Sequence, residues 1–148
     1  DGDWSSDVCS SDLMPQFGEN LPHIKKNPEA AAAYSQLAGI ICSPYPFDRI
    51  QTARELFHTV NTYHQQIEFQ KLQDCRQQAK DRIDGVITKL TADLATLNID
   101  PDLRNRILLP LRQTQKKFAS LADIRQVNRL CRDTIDLAMD QFEELMET

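Results

Sequence analysis

Apolar residues recur every three or four positions along most of this chain, which is the period of helices buried on one face. Ala31, Tyr34, Leu37, Ala38 and Ile41 share such a face in a segment opened by Asn27-Pro28. Asparagine can cap free backbone N–H groups there, and proline at the first helical position loses no hydrogen bond. The pattern predicts a helix from Pro28 to about Ile41, stopped by Ser43-Pro44-Tyr45-Pro46, because a residue preceding proline is pushed out of the helical region. No proline falls between Asp48 and Leu97, so one helix of roughly 75 Å is expected there at 1.5 Å per residue. Its seam runs Ile50, Ala53, Phe57, Val60, His64 and Ile67. It fades over residues 70–82, where Leu72, Cys75 and Ala79 stand among polar neighbours, and returns at Ile83, Val86, Ile87, Leu90, Leu94 and Leu97. Gly85 is the weak point, and a kink or break there is the competing expectation.

Asn98-Ile99-Asp100-Pro101 repeats the cap-plus-proline start and opens a helix through Leu103, Ile107, Leu111, Thr114 and Phe118. Pro110 lies inside it, and an interior proline removes a hydrogen bond and clashes with the preceding turn, so a kink or split is expected near Leu108 and Leu109. Ser120, with Asp123 in the capping-box position, is expected to cap a last helix with seam Ile124, Val127, Cys131, Ile135, Ala138, Phe142 and Leu145. The fold class is therefore all-α. Short links favour antiparallel neighbours, so residues 83–146 should form a three-helix bundle. Residues 28–67 should form a separate helical hairpin, with the short helix packed on the start of the long one and Tyr45 and Phe47 plugging the corner. Residues 14–27, punctuated by proline, glycine and asparagine, read as an irregular lead-in.

Composition changes the picture at the N-terminus. The 148 residues are 41% hydrophobic and 26% charged, with a formal charge of -5, values of an ordinary soluble domain able to bury a core without disulfides or metal. No stretch approaches the ~18 apolar residues of a membrane span. Residues 1–13 stand apart: they have no apolar period, no basic residue and none of the layout of a secretory signal. Asp3 to Leu13, DWSSDVCSSDL, resembles the in-frame translation of a sequencing adapter. Setting the segment aside removes Trp4, Cys9 and the acids Asp1, Asp3, Asp7 and Asp12, leaving 18 acids against 17 bases. Met14 is then expected to be an internal methionine of a longer protein.

The residue types and spacings of catalytic or metal sites are mostly absent from the sequence. His58 and His64 are six residues apart and lie on different helix faces, so no metal-ligand pair is expected, and His64 reads as a partly buried histidine satisfied by a neighbour. Cys42, Cys75 and Cys131 lack a CxxC partner and read as reduced thiols of a cytoplasmic protein. Asp81 with Asp84, and Glu143 with Glu144, read as solvated faces rather than acid/base pairs. The glycines form neither GxxxxGK[ST] nor GxGxxG. No catalytic residue, cofactor, metal or small-molecule substrate is expected.

Charge order is the exception. Arg104, Arg106, Arg112, Lys116, Lys117, Arg125, Arg129 and Arg132 face the single acid Asp123 between positions 104 and 132, whereas six acids and no base follow from Asp133. Within the last helix this opposes the macrodipole, so helix propensity did not select it. The functional reading is a basic face for DNA or an acidic partner, with a separate acidic tip. The simpler account is that these bases answer acids on the long helix such as Asp81, Asp84 and Asp93.

Ser43 to Val60, SPYPFDRIQTARELFHTV, resembles the C-terminal helical region of the BREX phage-defence P-loop ATPases. The likeness lies in Pro46-Phe47, Arg49-Ile50, Gln51-Thr52-Ala53-Arg54-Glu55-Leu56, Leu109-Pro110-Leu111, Ile124-Arg125 and Phe142 to Glu144, and covers roughly residues 28–145. It implies a non-catalytic docking or relay region of a defence ATPase, with other subunits of a defence complex as partners and DNA as a further one. The nucleotide-binding domain is not in this sequence, so no catalytic residue carries over. The alternative from a different class is a free-standing helical scaffold or coiled-coil adaptor starting at Met14.

Overall fold

The computed structural model describes residues 15–44 and 46–147. The expectations for the adapter-like tail, for Met14 and for Tyr45 lie outside the described residues. Among the described residues the protein is all-α: α1 spans Leu21–Lys26, α2 Pro28–Ile41, α3 Ile50–Ala95, α4 Pro101–Lys117 and α5 Ile124–Glu147. Short 3-10 helices cover Pro15–Asn20, Pro46–Arg49 and Phe118–Ser120. The chain divides into two compact units at Phe69/Gln70, so α3 gives residues 50–69 to the first and 70–95 to the second.

In the first unit, α2 has the expected bounds and cap. The Asn27 side chain accepts from the Ala30 N–H at 2.9 Å, and Pro28 fills the first helical position. Ala30, Ala33, Tyr34, Leu37 and Ala38 are buried in one cluster with Val60, and Ala53, Leu56, Phe57, Tyr63 and Ile67 pack around them. The short helix thus packs on the start of the long one.

Two expectations fail in this unit. Residues 14–27 are not an irregular lead-in: from Pro15 they are helical, and Phe17 and Ile24 are completely buried. Pro22 is tolerated because it falls in the first turn of α1, where no intrahelical donor is lost, and burial of two large apolar side chains outweighs the weak local propensity. The Phe17 ring lies 6.5 Å from Tyr34, 5.5 Å from Phe57 and 5.2 Å from His64. Phe47 plugs no corner; it is 65% exposed, and Ile50 is 49% exposed, because the lead-in supplies the central aromatic and burial on α3 begins only at Ala53.

The second unit is a three-helix bundle. Its core is Ala79, Ile83, Leu90, Leu94, Ile107, Leu108, Leu111, Phe118, Val127, Cys131 and Ala138. Leu72 and Cys75 also pack against it, so the bundle begins well before residue 83 and takes in the polar-looking stretch 70–82. Three apolar residues at near-heptad spacing suffice there because polar neighbours point outward. Cross-links fix the register. Gln115 donates to the Lys80 carbonyl and to Asp84, Thr114 and Thr134 hydroxyls bond at 3.1 Å, and Cys131 Sγ donates to the Ala79 carbonyl at 3.8 Å. Arg76 donates two bonds to the Leu121 carbonyl, at 2.6 and 3.2 Å, tying the α4–α5 connection to α3.

α3 continues through Gly85 without a break, and α4 runs through Pro110 without the expected split. Buried Leu108 and Leu111 on either side of the proline hold that turn in place. Ser120 is not the cap of the last helix. Its hydroxyl bonds back to the Lys117 carbonyl, while Asp123 accepts from the Arg125 N–H at 2.9 Å, so α5 starts at Ile124. After α3, Asn98 takes a left-handed conformation (φ 51°), which asparagine tolerates at helix ends.

Candidate charged interface

The eight bases singled out by charge order all lie in the second unit, on α4 and α5. Arg106, Arg112, Lys116, Lys117, Arg125, Arg129 and Arg132 are exposed. Arg104 departs from the set: it is half-buried, and its Nε is enclosed without a hydrogen-bond partner. It sits one turn before the buried Ile107 and Leu108 of α4 and is the least exposed of the eight.

Among the described residues no direct ion pair joins these bases to the α3 acids, although Asp84 borders the groove that Arg112 and Lys116 line. Asp84 accepts from the Gln115 amide at 2.5 Å, and Asp81 from Gln77 on its own helix at 2.8 Å. Of the eight bases only Arg132 forms an ion pair, with its neighbour Asp133 at 3.4 Å, both side chains being over 60% exposed. An exposed pair of that kind contributes about 0–1 kcal/mol. Six of the seven exposed bases thus carry no direct ion pair.

Helical geometry sorts the cations into two groups. Arg112 and Lys116, one turn apart on α4, line a groove of about 430 Å³ together with Lys80, Asp84, Ile87 and Gln115. Lys80 escaped the sequence reading, because only the antiparallel register of α3 and α4 brings it beside bases more than thirty positions away. Arg125, Arg129 and Arg132, at spacings of four and three, share the face of α5 turned away from Val127, Cys131 and Ala138. Lys117 belongs near them, at the end of the bundle where α4 connects to α5.

Acidic residues extend the α5 stripe. Asp136, Asp140, Glu143 and Glu147 continue the outward face and are exposed. A further groove of about 380 Å³ lies between Leu103, Arg106 and Ile107 of α4 and Gln141, Glu144 and Leu145 of α5. The first unit has an open, polar groove bordered by His58, Thr59, Thr62, Tyr63 and Gln66 against Asn27, Glu29 and Ala30.

Among the described residues no three His, Cys, Asp or Glu side chains gather to hold a metal, and no helix is long and apolar enough to cross a membrane. His64 is 9% exposed, and its Nδ1 lies 2.9 Å from the Asn20 amide nitrogen, the satisfied histidine expected from its seam position. Cys75 and Cys131 are free thiols, both pushed above the ordinary thiol value by burial, with nearby Arg82 partly offsetting this at Cys131. Cys42, expected to be a thiol, is disulfide-bonded. It is exposed just past the end of α2. No family model matches the chain, and no solved structure matches it.

Proposed function

We propose that the chain is a non-catalytic helical docking region, of the kind that the Ser43–Val60 resemblance associates with BREX phage-defence ATPases, and that its free bases engage an acidic surface of another protein subunit. The observation that carries this reading is the exposure of seven bases of which only one is ion-paired. Long-range attraction of this sort speeds encounter and sets orientation more than it adds affinity. A protein partner is favoured over nucleic acid on two counts. Phe118, the aromatic nearest the basic cluster, is buried at 2% exposure, which leaves no stacking platform beside it. Six acids follow directly on α5, where they would repel a continuing phosphate backbone.

The test is fluorescence anisotropy of the full chain with a labelled poly-glutamate peptide and, separately, with duplex DNA. Poly-glutamate binding should weaken at least about tenfold on raising salt from roughly 50 to 200 mM. It should fall similarly in the triple variant Arg112→Glu, Lys116→Glu, Lys117→Glu. Tighter binding to duplex DNA than to poly-glutamate transfers the surface to nucleic acid, and binding to neither removes the docking role. The ATPase association has its own genomic test: an upstream open frame encoding GxxxxGK[ST] supports it, and a stop codon with a ribosome-binding site just before Met14 eliminates it.

A further inference from the structure

The outward face of α5 has an internal order that an acidic partner does not account for. Positions 125, 129, 132, 136, 140, 143 and 147 advance by steps of three and four and form one exposed seam, read Arg, Arg, Arg, Asp, Asp, Glu, Glu. Three cations occupy its first half and four anions its second. Inside a single helix that order is unfavourable, since cations sit toward the positive N-terminal end and anions toward the negative C-terminal end. The same order becomes favourable when a second helix lies against it in the opposite direction.

We infer that this face is self-complementary and that a second copy of this chain pairs with it, α5 against α5, antiparallel about a twofold axis at the level of residue 134, on the side of the helix opposite the Thr134 hydroxyl that bonds Thr114. About that centre Arg125 faces Glu143 and Arg132 faces Asp136, while Arg129 falls one residue, about 1.5 Å along the axis, from Asp140. The twofold repeats each relation, giving six opposite-charge pairings from three kinds of contact, as an isologous interface requires. A parallel pairing sets arginine against arginine and is excluded by repulsion. Antiparallel packing also places each helix's positive end beside its neighbour's negative end. Nucleic acid or a uniformly acidic protein matches only the first half of the seam, whereas a second copy matches six of its seven residues, Glu147 falling beyond the start of the partner helix.

The size of the face sets the strength. The paired residues 125–143 span roughly 27 Å, and a strip about 10 Å wide is near 270 Å² per copy, well below the ~800 Å² per partner of a stable complex. The pairing is therefore weak, concentration-dependent and steeply sensitive to salt. It goes beyond the docking role: it shares Arg125, Arg129 and Arg132 with the basic surface but does not use Arg112, Lys116 or Lys117.

Sedimentation equilibrium of the full chain, at about 20 and 500 mM salt, tests it. The wild type should dimerise at low salt and dissociate at high salt. The base-reversed variant (Arg125→Glu, Arg129→Glu, Arg132→Glu) and the acid-reversed variant (Asp136→Arg, Asp140→Arg, Glu143→Arg) should each lose at least about tenfold in self-association, yet form a one-to-one heterodimer when mixed. The chain carrying all six changes should regain the homodimer, a recovery that a merely misfolded variant cannot show. A wild type that stays monomeric at low salt, single reversals that dimerise like wild type, or a six-fold swap that stays monomeric would each overturn the inference. The Arg112, Lys116, Lys117 triple variant keeps the dimer whatever its poly-glutamate binding, so failure of one reading is distinguishable from failure of the other.

Discussion

Asn20 and His64, forty-four positions apart, meet in the core of the first unit with the Asn20 amide nitrogen 2.9 Å from His64 Nδ1. An amide NH2 only donates, so Nδ1 is the acceptor in this contact. The edge of the Phe17 ring packs against the same imidazole at 5.2 Å, which shuts water out of the contact. Asn20→Ala leaves that nitrogen enclosed without a donor and should cost about 1–3 kcal/mol. Urea unfolding followed by circular dichroism measures it. The double variant with His64→Leu should lose less than the two single changes added, since both polar groups then leave together.

Gly85 lies in the interior of α3 with open space where a Cβ would stand. Nothing in its surroundings requires glycine, and its φ is negative. Gly85→Ala should raise stability by about 0.5–1 kcal/mol through lower backbone entropy in the unfolded chain. Thermal unfolding checks this, and a loss of stability would show that the position serves something other than the helix.

Arg104 carries an enclosed Nε with no acceptor, and Gln141 Oε1 on α5 is likewise enclosed without a donor. Buried polar groups left unpaired forfeit the hydration they had in the unfolded chain. Arg104→Met keeps the apolar stem and removes the orphaned donor. Its expected outcome is neutral to about 1 kcal/mol more stable, against the loss that a paired arginine would show. Poly-glutamate binding should be unchanged, because this side chain does not belong to the exposed cations.

Cys131, 2% exposed, is held above the ordinary thiol value of 9.0 chiefly by burial. Below about pH 9 the thiol is protonated in both folded and unfolded chains, so it adds no pH dependence. As pH rises past that point the unfolded chain ionises first, binds fewer protons, and stability falls until the raised folded value is passed. Cys131→Ala should flatten this alkaline part of the stability curve. In native thiol labelling the half-buried Cys75 should react well before Cys131, and denaturant should abolish the difference.

The helices that their caps and seams announced are those whose signals are local. Asn27-Pro28 and Asp100-Pro101 open α2 and α4 at the expected places, and the α5 seam from Val127 to Leu145 packs as its spacing required, Ile124 alone lying outside the cluster. What the residues alone misplaced depends on distant partners. Phe17 and Ile24 become a core only because α2 and α3 offer them one, so no local pattern distinguished the lead-in from a loop. Phe47 looked like a corner plug because its competitor, Phe17, lay in the segment set aside as irregular. The basic set was legible as charge order, but two facts were not: that Arg104 is half-buried, and that Lys80 joins Arg112 and Lys116. Both follow from the antiparallel register of α3 and α4, which the sequence expresses only through the finished bundle.

The two bonds from the Arg76 guanidinium to the Leu121 carbonyl give the α4–α5 connection a consequence of its own. Residues 121–123 are the part of that link without regular structure, and Leu121 is anchored by a helix more than forty positions earlier. An α4–α5 hairpin formed alone has to leave this carbonyl to solvent, so the link tightens only when α3 arrives. The backbone around Leu121 thus reports on all three helices at once, and Arg76→Met should make this link the first place in the bundle that a protease nicks.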